Sequence, residues 1–136
     1  MKYKVLNKRN KYELTEDLIL KTHIYPDMDI HVNFISLLMD GTLTIRSGYR
    51  WDGASGPTLD TDNSMSPSCG HDAIFQLMRM GMLDRKWFKV ANKDFYLWLR
   101  ERKMLWIRAR VWLRALNKFG LENTFPDENP LIIEVF

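Results

Sequence analysis

Gly48-Tyr49-Arg50-Trp51-Asp52-Gly53-Ala54-Ser55-Gly56-Pro57 splits the chain into two halves with different hydrophobic periods. Upstream, short apolar runs alternate with polar residues and turn signals, which is the pattern of strands. Downstream, apolar residues recur at three- and four-residue spacing, which is the pattern of helices. Gly53, Ser55, Gly56 and Pro57 require irregular backbone inside the run. The run therefore reads as a structural turn, with Trp51, Gly53, Ala54, Ser55 and Pro57 joining the two halves.

Toward the N-terminus, Tyr12 and Leu14, then Leu18, Ile19 and Leu20, lie among polar residues without a helical stripe, and Pro26 ends the run. His31 to Ile35 is short, β-branched and aromatic. Asp40-Gly41, set between Phe34–Met39 and Thr42–Ile45, predicts a hairpin in which both turn residues tolerate positive φ. Toward the C-terminus, Thr58 to Pro67 reads as a polar loop. Ser66-Pro67-Ser68 is a helix start signal with Ser68 as the N-cap. The first helix then runs from His71 to about Met80, where Gly81 stops it. Asp84 caps a second helix reaching about Lys103. A third covers about Met104 to Phe119 and stops at Gly120. Leu105, Ala109, Trp112, Leu116 and Phe119 form its apolar stripe, with Arg110, Arg114 and Lys118 opposite.

These elements predict an α+β fold, an N-terminal antiparallel β half packed against a C-terminal bundle of about three helices. One domain spans 1–136, with a β-rich half and turn over 1–57, a polar loop over 58–69, helices over 70–120 and a tail over 121–136. The size suits it: 136 residues, 46% hydrophobic and 27% charged, are enough for one packed core and exclude a disordered chain. Cys69 is the only cysteine, so stability must come from packing and not from an intrachain disulfide. Met1 to Lys11 is polar and basic with no apolar segment of a secretory signal, and no run is long enough for a membrane span. The expected location is the cytoplasm, of a host cell or an infected one. The net charge of +3 permits an anionic partner without demanding one.

Helical phase singles out two polar residues on apolar faces. His71 shares its face with Ile74, Phe75 and Met78, and Asp94 shares one with Val90, Ala91, Leu97 and Trp98. A carboxylate there is costly unless something pairs with it. If the two helices pack antiparallel, Asp94 holds one imidazole nitrogen of His71 and leaves the other free, which reads equally as a buried structural hydrogen bond or as an oriented general base. Asp72 lies about a quarter-turn away in the first helical turn, and Asp52 sits in the preceding turn. Together they are an oxygen-donor pair suited to a hard cation such as Ca²⁺.

Cys69-Gly70-His71-Asp72, followed by Asp94-Phe95 on a second helix and preceded by Asp52-Gly53-Ala54-Ser55, resembles the site of the phospholipases A2. That resemblance implies His71 as the base that activates water, Asp94 as its orienting acid and Asp72 as a Ca²⁺ ligand. It departs from the family at three points: one residue separates Cys69 from His71, Phe75 stands where tyrosine is usual, and the disulfides are absent. A longer resemblance covers most of the chain. Gly48 through Pro57, His71-Asp72 and Asp94 are similar to a family of uncharacterised proteins found mainly in bacteriophage and prophage genomes. It implies phage origin and no particular activity.

Other signals are weaker. Arg100, Arg102, Lys103, Arg108, Arg110, Arg114 and Lys118 alternate with Trp98, Trp106 and Trp112, which is compatible with nucleic acid. However, Trp98 and Trp112 fall on apolar stripes, and only Trp106 is left at an edge. The same helix could lie on an anionic membrane surface, but its apolar face is needed for the core. Asp60-x-Asp62-x-Ser64 lacks the glycine and closing glutamate of a Ca²⁺ loop. His23, His31 and His71 are too scattered to indicate zinc. Two functions follow as expectations. The first is a phage-encoded accessory or virion-associated protein that binds a phage or host protein. The alternative is a small hydrolase using His71 and Asp94, with a divalent cation on Asp72 and Asp52.

Overall fold

The computed structural model describes residues 1–6, 12–51 and 64–126, and it has the expected α+β architecture. The strands are β1 (Tyr3–Val5), β2 (Tyr12–Leu14), β3 (Leu18–Lys21), β4 (Ile30–His31), β5 (Ile35–Leu37), β6 (Thr42–Ile45) and β7 (Arg50–Trp51). They form two antiparallel sheets, one in the order β1-β2-β7 and the other β3-β6-β5-β4. The helices are α1 (Met65–Arg79), α2 (Phe88–Glu101) and α3 (Trp106–Phe119).

Period-two patterning sets the sheet register. Leu18 and Leu20 face inward opposite Ile45 and Leu43, while Ile19 between them is exposed. Asp40-Gly41 does form the hairpin between β5 and β6. Only Gly41 has positive φ, at +90°, and its N–H donates to the Leu38 carbonyl at 2.9 Å. The connection is thus a turn over Leu38–Gly41 closed by a left-handed glycine, not a turn with two left-handed residues.

α1 begins six residues before the expected His71, with Ser64 at the N-cap. Pro67 sits in the first turn, where its missing N–H costs nothing because the first four N–H groups of a helix have no intrahelical acceptor. Ser68 is therefore not the cap. Its hydroxyl donates to the Met65 carbonyl at 2.9 Å and accepts the Trp51 indole N–H at 3.0 Å. Trp51 is buried beside Tyr3 and Tyr12, so it fastens the first sheet to α1. Gly70 permits the second sheet to close on α1: a Cβ there would collide with Leu20 and crowd Trp98.

One core joins the β4–β6 side chains to Ala73, Ile74, Leu77 and Met78 of α1. A smaller one, made of Phe95, Leu99, Met104, Ala109 and Trp112, lies between α2 and α3. Leu105 departs from its expected place on the core stripe and is 76% exposed. It is the N-cap of α3, with ψ 137°, so it lies outside the helical phase that places Ala109 and Trp112 inward. Among the described residues, no helix is long and apolar enough to cross a membrane.

Candidate functional site

α2 is amphipathic in an unusual sense, because it buries two faces. Phe88, Asn92, Phe95 and Leu99 make one buried stripe, and Ala91, Asp94 and Trp98 make the other. Each stripe carries one polar residue, and each polar residue meets a different histidine.

His71 projects from α1 onto the Asn92 face. Its ring is buried 4.1 Å from the Phe75 ring and 5.0 Å from that of Phe95, between centroids. Nε2 donates to Asn92 Oδ1 at 2.8 Å, and Asn92 Nδ2 donates to Asn117 Oδ1 of α3 at 2.9 Å. With its amide so oriented, Asn92 fixes the proton on Nε2. Burial is the main reason the imidazole pKa falls to about 4, and the positive charge of Arg79 pushes the same way while Asn92 opposes it. The ring is neutral at pH 7.

Asp94 faces the β3–β4 connection. Its Oδ2 accepts the backbone N–H of His23 at 2.9 Å, and its Oδ1 accepts Nδ1–H of the same residue at 2.6 Å. The carboxylate is buried, whereas the His23 side chain is 63% exposed. One helical turn further, Trp98 Nε1 donates to the Lys21 carbonyl at 3.1 Å. Asp94 and Trp98 thus grip the end of β3 together.

The expected His71–Asp94 pair is therefore not what the structure builds. Positions 92 and 94 differ by about 200° around a helix, and the residue directed at His71 is Asn92. Asp72 is half-buried on α1. Its expected companion Asp52 lies outside the described residues, as do Gly53, Ala54, Ser55, Pro57 and the Asp60–Asp62 segment. Among the described residues, no group of three or more His, Cys, Asp or Glu is placed to hold a metal ion. Cys69 is buried, and burial, reinforced by the charge of Asp72, raises its thiol pKa well above the ordinary value. It is not an activated nucleophile.

Sequence reasoning missed Asn92 and His23. Asn92 carried a usable signal, since it is the one polar residue in the stripe Phe88, Asn92, Phe95 and Leu99. His23 carried none, because it lies beyond the end of a strand with no periodicity to orient it. Compared with known family models, curated proteins and solved structures, the chain matches none.

Proposed function

We propose that this chain is a non-catalytic binding and structural module, a phage-encoded accessory or virion-associated protein that works through contact with a phage or host protein. The observation that carries the non-catalytic half is the state of His71. A general base needs an accessible nitrogen and a proton affinity near the working pH. The His71 ring is buried between two phenyl rings, spends Nε2 on a neutral amide and stays unprotonated until about pH 4. Asp94, the acid that would have oriented it, is committed to His23. The phage half rests on the likeness of Gly48–Pro57, His71-Asp72 and Asp94 to the phage and prophage family. A host-cytoplasmic or virion location belongs to the same reading.

The test is a conservative variant. His71→Gln keeps a donor for Asn92, so it should fold, and its esterase and phospholipase turnover with Ca²⁺ present should equal the wild-type background. A wild-type activity that His71→Gln abolishes in a fully folded protein, with Ca²⁺ binding by calorimetry, would restore the hydrolase alternative with its cation on Asp72 and Asp52.

A further inference from the structure

We propose that the tip of the α2–α3 hairpin is a docking site for an anionic membrane surface. Leu105, Trp106 and Ile107 enter the interfacial layer, and the flanking cations engage lipid phosphates.

Charge is sharply segregated in this chain. Between Arg85 and Lys118 stand eleven Lys and Arg against only Asp94 and Glu101, a net +9, so the remaining residues carry −6 of the overall +3. Asp94 is buried on His23, which leaves Glu101 as the one exposed acid of that stretch. α3 contains no acid at all.

Apolar residues are exposed in the same place. Leu105 is 76% exposed, Trp106 54%, Ile107 61% and Val111 46%. Ile107 and Val111 continue into Arg114 and Lys118 along the outer stripe of α3, opposite the buried Ala109 and Trp112. The inner face of the helix thus serves the core while a second apolar set remains outside.

Local structure at the tip sacrifices stability twice. α2 ends with Met104 N–H on the Leu99 carbonyl and Lys103 N–H on the Arg100 carbonyl, a turn that puts Lys103 in the left-handed region at φ +66°. α1 ends in the same hydrogen-bond pattern, and there the left-handed position is Gly81 at φ +74°. Lysine stands where glycine is favoured. Two residues on, Leu105 is the N-cap of α3 and makes no side-chain cap bond, where serine or aspartate would. Adjacent breaches of local preference, one placing a cation and one an exposed leucine, mark a functional surface. The turn is also firmly seated, since Met104 is buried between the helices.

The occupant follows from this chemistry. Aliphatic Leu105, Ile107 and Val111 gain nothing from a hydrated phosphodiester backbone, and nucleic acid would use flat rings, of which the tip exposes one. A two-fold dimer through this face would set two acid-poor, cationic surfaces against each other. A bilayer interface rich in anionic lipid takes all the parts at once: aliphatic side chains in the acyl boundary, tryptophan at the headgroup level and cations at phosphate. The contact is peripheral and independent of the protein-partner reading above.

Co-sedimentation of the full chain with vesicles tests it. Phosphatidylglycerol/phosphatidylcholine vesicles should bind at least about tenfold more tightly than pure phosphatidylcholine, and salt should weaken the binding. Leu105→Ser with Ile107→Ser should lose about tenfold or more while the fold holds, because both side chains are exposed and serine improves the cap. Arg110→Glu with Arg114→Glu should abolish binding. Three results would overturn the proposal: equal affinity for neutral vesicles, unchanged vesicle binding in the Leu105/Ile107 variant, or salt-sensitive binding of duplex DNA with none to either vesicle.

Discussion

The two buried faces of α2 solve one problem in opposite ways. On the α1 side, Asn92 meets a histidine sealed between Phe75 and Phe95. On the sheet side, Asp94 meets a histidine whose ring stands mostly in solvent. A charged imidazole on the inner side would have no water and no counter-ion, so a neutral amide is the partner that leaves it neutral. The buried carboxylate on the outer side is tolerable because it accepts from both the backbone and the ring of His23. The access of each histidine to water thus matches the chemistry of its partner, amide within and carboxylate without. Exchanging the partners would be costly on both sides.

The largest effect should come from the inner side. His71→Ala removes a ring wedged between two others and leaves the Asn92 acceptor without its donor, and should cost about 3 kcal/mol in urea unfolding. A midpoint within experimental error of wild type would break the comparison, since the ring would then not be a packed part of the core. The second effect is the acid limb. Above pH 6.5 the imidazole is neutral in both the folded and the unfolded chain and contributes nothing. Between pH 6.5 and about 4 the unfolded chain binds a proton that the folded chain refuses, so stability falls as pH falls. Below about 4 the folded chain binds it too and this loss stops growing. The total is roughly 3 kcal/mol. His71→Gln should flatten that limb, and an unaltered pH profile would show that His71 titrates normally.

The sequence made the fold legible to the extent that period carried information. Alternation in Leu18–Leu20 and the Asp40-Gly41 signal placed the second sheet, while helical spacing and Gly81 placed the helices. It fails at the start of α1, because Pro67 signals a helix start after it, whereas a first helical turn accepts proline. It fails again at Leu105, since a stripe extended one residue past the helix end predicts burial that a cap residue does not have. At the site, helical phase identified both His71 and Asp94 as buried polar residues, which they are. It could not pair them. Partner choice depends on how α2 is rotated against α1 and the sheet, and that rotation is set by packing such as Gly70 against Leu20 and Trp98. Two polar residues misplaced on neighbouring helices invited the assumption that each was the other's partner. The true partners were an amide hidden in an apolar stripe and a histidine past the end of a strand.

The outer side should respond less, and its two halves should respond unequally. Asp94→Ala strips the acceptor from the His23 backbone N–H and from Nδ1 together, but the ring is already wet and water can replace the carboxylate there. Trp98 Nε1 still holds the Lys21 carbonyl. A loss of about 1–2 kcal/mol follows. His23→Ala should cost still less, below about 1 kcal/mol, because residue 23 keeps its backbone N–H on Asp94 whatever its side chain. The ordering is the sharper test. If His23→Ala destabilises as much as Asp94→Ala, the exposed ring is what makes burial of the carboxylate tolerable, and the outer contact is as tightly coupled as the inner one.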